Sequence, residues 1–216
     1  KTELHPAPLT EFDPKRREVL ATAGLTVAAT AVAQVDWRSS HPSPFLIQPP
    51  GARENDILSK CVRCGLCVRT CPTGVLQPAL LEAGLAGMWT PILVPENGYC
   101  DYACNACGQV CPVEATPRLD LEEKHQQVIG KAYINQNRCI AWTGDGECIV
   151  CEEMCPLPEK AITIETRQVG DADNPQVQKL PVVDRQKCIG CGICEYKCPV
   201  TGQAAIRVYT PGLGEN

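Results

Sequence analysis

The strongest constraint on this chain is a cysteine pattern that recurs four times. Its 216 residues hold sixteen cysteines, and every one belongs to a quartet followed directly by proline. The first quartet is Cys61, Cys64, Cys67 and Cys71, ahead of Pro72, and the second is Cys100, Cys104, Cys107 and Cys111, ahead of Pro112. The third is Cys139, Cys148, Cys151 and Cys155, ahead of Pro156, with eight residues after its first member. The fourth is Cys188, Cys191, Cys194 and Cys198, ahead of Pro199. A disulfide framework gives no reason for a fourfold C-x2-C-x3-C-P repeat. Zinc ribbons use two C-x2-C knuckles and have no place for a third cysteine three residues on. A c-type haem needs C-x-x-C-H, and no cysteine here precedes a histidine.

What remains is iron–sulfur chemistry. Quartets one and four carry the bacterial C-x2-C-x2-C-x3-C-P run without departure. Three thiolates at i, i+3 and i+6 on a tight loop take three corners of a [4Fe-4S] cube. The fourth cysteine is expected to open a short helix, with its proline at the helix start, and to reach the neighbouring cube. Gly65, Gly108, Gly190 and Gly192 let backbone N–H groups approach the sulfurs. Cys100, Cys104 and Cys107 also have the C-x3-C-x2-C spacing of enzymes that use S-adenosylmethionine at an open iron; Cys111 and Pro112 complete a ferredoxin quartet instead. Four clusters also explain why aromatics are only 5% of the chain, since inorganic cubes fill space that large side chains would otherwise fill. Each cluster with its thiolates adds about −2, taking the formal charge from −5 to about −13. An acidic balance leaves no footprint for nucleic acid or anionic lipid. No phosphate-binding, dinucleotide or serine-nucleophile motif marks a small-molecule substrate site.

The chain divides into an N-terminal arm, 1–55, and a cysteine-bearing body, 56–216. The arm holds Arg16-Arg17, then Val19 to Ala33 without a charge, then a linker with Pro42, Pro44, Pro49 and Pro50. As a helix, 19–33 would span roughly 22 Å against roughly 30 Å of hydrocarbon, too short for an independent span. Two readings stand: an uncleaved membrane-associated helix, or a structural helix packed on the body or a partner. The paired arginines, short apolar stretch and Ala31-Val32-Ala33 are similar to a twin-arginine export signal, although Lys15 and Ala21 depart from its pattern. The first residue is Lys1 rather than Met, which points to processing or a longer parent chain. In the body, 132–135, 161–165, 181–184 and 204–209 are expected strands. Pro78 to Pro91 and 119–127 are expected helices, and His125 a solvated surface residue. Lys60, Arg63 and Arg69 around quartet one would raise its potential, and Asp145, Glu147, Glu152 and Glu153 around quartet three would lower that one, unless both are ordinary solvated faces.

The four quartets resemble the four-cluster polyferredoxins: iron–sulfur subunits of molybdenum oxidoreductases, and the ferredoxin-type proteins of periplasmic nitrate reductase and methylamine utilisation systems. Gln48-Pro49-Pro50-Gly51-Ala52 ahead of the first cysteine looks like the lead-in of the second group. The resemblance implies an α+β fold of two bacterial-type 2[4Fe-4S] ferredoxin-like modules behind an N-terminal helical and extended arm. It implies an electron carrier rather than an enzyme, relaying single electrons through four [4Fe-4S] clusters between a membrane- or quinone-linked donor and a redox-enzyme partner in a multi-subunit complex. A cluster-carrying assembly factor is the other class. It places the chain at the membrane, on the extracytoplasmic face by the arginine pair, with the cytoplasmic face as alternative. It further suggests nested pairing, in which Cys61, Cys64, Cys67 take Cys198 and Cys188, Cys191, Cys194 take Cys71. Cys100, Cys104, Cys107 would then take Cys155, and Cys139, Cys148, Cys151 take Cys111. Sequential pairing, one with two and three with four, stays open.

Overall fold

The computed structural model describes residues 18–26, 30, 43–169 and 176–211. Packing divides the chain into Lys1–Ser39 and Ser40–Asn216. In the first unit, residues 18–26 are helical. The Thr22 and Thr26 hydroxyls donate back one turn, to Glu18 O at 2.8 Å and Thr22 O at 3.0 Å. Arg16-Arg17 and most of 27–33 lie outside the described residues. Among the described residues, no helix is long and apolar enough to cross a membrane.

In the second unit the packed body begins before residue 56. Leu46 and Ile47 are 3% and 1% exposed, and Ile47 bridges Leu93 antiparallel. Apolar side chains here pull the proline-rich segment onto the body. The elements then run α1 (Glu54–Lys60), α2 (Leu66–Thr70), β1 (Leu76–Pro78), β2 (Pro91–Leu93), α3 (Ala106–Gln109), α4 (Leu121–His125) and β3 (Lys131–Ile134). They continue with α5 (Ile140–Thr143), α6 (Val150–Glu153), β4 (Ile162–Val169), β5 (Gln176–Val183), α7 (Ile193–Tyr196) and β6 (Ile206–Tyr209).

Three two-stranded antiparallel sheets organise them: β1–β2, β3–β6 and β4–β5. The strand before quartet three pairs with the strand after quartet four, from Lys131↔Tyr209 to Ile134↔Ile206. Between them the β4–β5 hairpin runs from Ile162↔Val183 to Val169↔Gln176. Quartets three and four are thus enclosed in one strand–motif–hairpin–motif–strand module. Quartets one and two flank the β1–β2 hairpin in the same way, with the Ile47–Leu93 bridge alongside. One core joins the modules: Ile47, Val75, Leu76 and Leu93 pack with Ala132, Ile162, Ile206, Val208 and the half-buried and buried cysteines.

Three expectations change. The stretch 78–91 is β1, a series of turns and β2, not a helix. Gly84 and Trp89 take φ of 67° and 66°, left-handed conformations that an α-helix cannot accommodate. The short helix of each quartet precedes the fourth cysteine instead of following it. The prolines therefore stop helices rather than start them. His125 is half-buried and stacks on Tyr102, with ring centroids 3.7 Å apart and an interplanar angle of 3°.

Candidate metal centres

Each quartet uses the same local device. Its third cysteine, Cys67, Cys107, Cys151 or Cys194, is the second residue of a one-turn helix. Its fourth lies four residues on, at or just past the helix end, where the following proline prevents continuation. One helical turn therefore aims the fourth thiol along the axis, away from its own loop. The eight-residue insertion in quartet three forms α5, capped by Gly144 in the left-handed region (φ 82°). Trp142 Nε1 in this turn donates to Pro181 O at 3.1 Å, tying it to β5.

The sixteen thiols surround four cavities, four to each. Cys61, Cys64, Cys67 and Cys111 line the first, and Cys71, Cys100, Cys104 and Cys107 the second. Cys139, Cys148, Cys151 and Cys198 line the third, and Cys155, Cys188, Cys191 and Cys194 the fourth. Each cavity takes three cysteines from one quartet and the last from its partner. The thiols group sequentially around the cavities, not in the nested arrangement: Cys71 stands with Cys100, and Cys198 stands with Cys139. The hairpins cause this. The β1–β2 hairpin returns the chain beside quartet one before quartet two begins, and the β4–β5 hairpin does the same for quartets three and four. Cys71 occupies the fourth side of the Cys100, Cys104, Cys107 cavity, the position an open iron would need.

The second, third and fourth cavities are similar in size, and the first is the largest of the four. The similar size of these three suits one kind of guest in each. Their remaining walls are mostly apolar, among them Val75, Leu76, Ile134, Val150 and Ile162. Among the described residues no three His, Cys, Asp or Glu groups converge on a single-ion position. Soft thiolates around an apolar space larger than one ion fit an iron–sulfur cube and not a tetrahedral zinc.

Backbone amides point at the sulfurs. Arg63 N lies 3.4 Å from Cys61 Sγ, Ala132 N 3.3 Å from Cys188 Sγ, and Ala205 N 3.4 Å from Cys198 Sγ. Without iron, burial raises six of the thiols. It pushes Cys67 up to about 11 and Cys107, Cys151 and Cys191 up to about 12, and neighbouring thiols add to the rise. Cys194 is raised well above the ordinary thiol value for the same reason. Cys71 differs: burial raises it, but the Thr73 hydroxyl and the amides of Leu76, Thr73 and Val75 outweigh that and lower it.

Two charged side chains absent from the expected site are buried beside these cavities. Lys124, on α4, is 7% exposed, and its Nζ donates to the carbonyls of Asp101 and Tyr102. Glu195, on α7 next to Cys194, is 4% exposed and accepts from Val208 N at 2.7 Å and Arg207 Nε at 3.4 Å. Burial raises the Glu195 carboxyl, against the opposing pull of those two partners. The only sequence signal near Lys124 is the Asp120–Glu123 capping box, which fixes where α4 begins.

The expected tuning residues are partly neutralised. Lys60 pairs with Asp56 at 2.9 Å, Glu152 with Lys160 at 2.6 Å, and Glu147 with Lys179 at 3.4 Å. Arg63 is fixed on the carbonyls of Met88 and Ala86, and Arg69 lines the first cavity.

Adjacency among the cavities runs first, second, fourth, third. Helices α2 and α3, which carry Cys67 and Cys107, pack together across the first pair. Cys100 N donates to Cys191 O at 2.8 Å across the module junction, and α6 and α7, which carry Cys151 and Cys194, pack together across the last pair.

A 4Fe-4S binding domain model matches residues 56–77, and a second matches 180–205. The methylamine utilization ferredoxin-type protein MauM of Methylorubrum extorquens is 36% identical over 211 residues, covering 93% of this chain and 91% of that protein. MauM of Paracoccus denitrificans is 35% identical, covering 92% and 89%. The ferredoxin-type protein NapG of Escherichia coli is 35% identical over 202 residues, covering 92% and 85%. The chain accordingly belongs to the ferredoxin-type electron-transfer proteins represented by MauM and NapG, and it carries four [4Fe-4S] clusters.

Proposed function

We propose that the sixteen cysteines ligate the clusters in the four sets that line the cavities, making a single wire with ends at the first and third cavities. Each bound cluster supplies a one-electron couple. The observation that carries the reading is the row of four-thiol cavities, each built three-plus-one from neighbouring quartets. The protein's part is to hold the thiolates, direct amides at sulfur and wall the sites with apolar side chains.

The first cavity is the external port. Cys64 is the only exposed cysteine, and Arg63, Arg69 and the exposed Trp89 border the same opening. The chain passes electrons between a membrane- or quinone-linked donor and a redox enzyme, as a subunit held at the extracytoplasmic face of a membrane. Arg16-Arg17 and the short apolar stretch after them support that location, and fractionation of cells expressing the full chain tests it. The cysteine sets are tested by substitution. Cys111→Ser and Cys61→Ser should disturb the same reduction couple in an EPR-monitored titration, and Cys198→Ser a different one. If Cys61→Ser and Cys198→Ser act on one couple, the sets are wrong.

A further inference from the structure

Lys124 is the least expected side chain near a cluster ligand. It is 7% exposed, on a helix whose Glu122 and Glu123 are exposed. Among the described residues no carboxylate pairs with it. The nearest acid in sequence contact, Asp101, turns its carboxylate to Ala103 N at 2.9 Å and offers Lys124 only its main-chain carbonyl. Tyr102 offers another carbonyl at 3.3 Å. A buried cation held by two neutral carbonyls still lacks a counter-charge, and such groups persist only when something nearby supplies one. The two carbonyls that hold it belong to Asp101 and Tyr102, directly after Cys100, so its charge is fixed beside that ligand. Burial raises the Cys100 thiol, and the Lys124 charge opposes the rise.

The geometry points to Lys124 as the internal counter-ion of the cluster held by Cys71, Cys100, Cys104 and Cys107, raising that cluster's reduction potential above what its thiolates alone would set. This rests on the cysteine sets proposed above. The gain of one electron takes the cluster and its four thiolates from a charge of about −2 to about −3. A fixed cation beside one ligand favours the more negative state. No bond is made or broken at the lysine, and no proton is transferred. The position matters for the wire as a whole: Cys100 N donates to Cys191 O across the module junction, so Lys124 tunes the site that receives electrons from, or gives them to, the other module.

The test is an EPR-monitored redox titration of the full holoprotein and its Lys124→Met and Lys124→Arg variants. Lys124→Met should weaken reduction of one cluster at least tenfold, which is about 59 mV for a one-electron couple, and leave the other three in place. Lys124→Arg should restore it. The affected couple should be the one that Cys100→Ser also moves. Four unchanged couples in Lys124→Met would overturn the proposal and leave Lys124 as a clip for two carbonyls; so would failure of Lys124→Arg to restore the shifted couple. Where Lys124→Met loses iron, Lys124→Gln, which keeps donors for the carbonyls without the charge, provides the same comparison. If Lys124→Met moves a couple that Cys100→Ser leaves alone, the counter-ion proposal fails; if Cys71→Ser and Cys100→Ser move different couples, the cysteine sets fail instead.

Discussion

Gly108 is where the fold leaves least room beside a cluster ligand. A Cβ added there would stand 2.1 Å from Pro117 O and 3.0 Å from Pro117 C, both backbone atoms with no rotamer to yield. Two effects oppose each other in Gly108→Ala. Alanine in a helix interior is worth about 0.8–1.0 kcal/mol over glycine, and less in the single turn of α3. Forcing a methyl group into packed backbone costs about 1–3 kcal/mol. The clash wins, with a net loss of about 1–2 kcal/mol. It falls on the cluster, because Gly108 follows the ligand Cys107 in α3 and any shift of α3 carries that ligand with it. A loss of 1–2 kcal/mol corresponds to about 5–30-fold in an equilibrium. The assay is loss of visible cluster absorbance at fixed guanidinium, read as a rate because cluster proteins do not refold freely. Gly146→Ala is the control, since its new methyl group meets only Ile140 Cγ2 at 3.5 Å. If Gly108→Ala loses its clusters no faster than the parent chain and Gly146→Ala, the packing argument at α3 is refuted.

Ile47 is 1% exposed and joins the segment ahead of α1 to the core shared by both modules, so Ile47→Ala should cost about 2–5 kcal/mol, read as an earlier guanidinium midpoint. A chain stripped of iron should be largely unfolded by far-UV circular dichroism, because four cavities bordered by apolar walls lose their filling. Thiols raised to about 12, such as Cys107, Cys151 and Cys191, favour the neutral form, so any native structure the stripped chain retains is fully present below the ordinary thiol value and is lost as pH climbs from there through about 12. Iron must displace those thiol protons, so a chelator should strip the protein more readily at about pH 6 than at about pH 8. Trp89→Ala, at a side chain 57% exposed on the rim of the first cavity, should slow electron exchange with the physiological partner and leave all four midpoints unchanged.

The cysteine spacing carried most of the chemistry because ligand geometry is local: three thiols on a loop and a fourth one helical turn later can be read without knowing the fold. The same spacing, read closely, also places the helix. A gap of four between Cys67 and Cys71 is one turn, so the turn must lie between them and Pro72 must end it. Strands β3 to β6 were visible as short β-branched runs. The Leu80, Leu81, Leu85 spacing suggested a helix, but Gly84 and Trp89 adopt left-handed φ values that interrupt it. Which quartets share a cavity was not legible, since it depends on how far each hairpin returns the chain. Lys124 was not legible either. It sits among Glu122, Glu123 and His125 in a polar stretch, and only the docking of α4 against Asp101 and Tyr102 buries it.

Sequential pairing has a consequence for how the two modules share the work. Each module contributes to the junction the cavity built mainly from its later quartet, the second and the fourth, and leaves the cavity of its earlier quartet at an end of the row. Both buried charged side chains sit beside junction cavities, Lys124 at the second and Glu195 at the fourth. The end cavities instead have more exposed charges: exposed Arg63 and Arg69 line one, and half-buried Glu152 and exposed Glu153 follow the Cys151 ligand of the other. Surface charges act weakly on a potential because solvent and salt screen them, whereas a buried charge is screened far less. Burial thus assigns the junction residues to setting the internal step of the wire. The end residues are placed to meet partners, where charge governs encounter rate more than binding strength. Substitutions at Lys124 and at Trp89 should therefore separate into changes of potential and changes of exchange rate, and their effects should add, because the two positions serve different cavities.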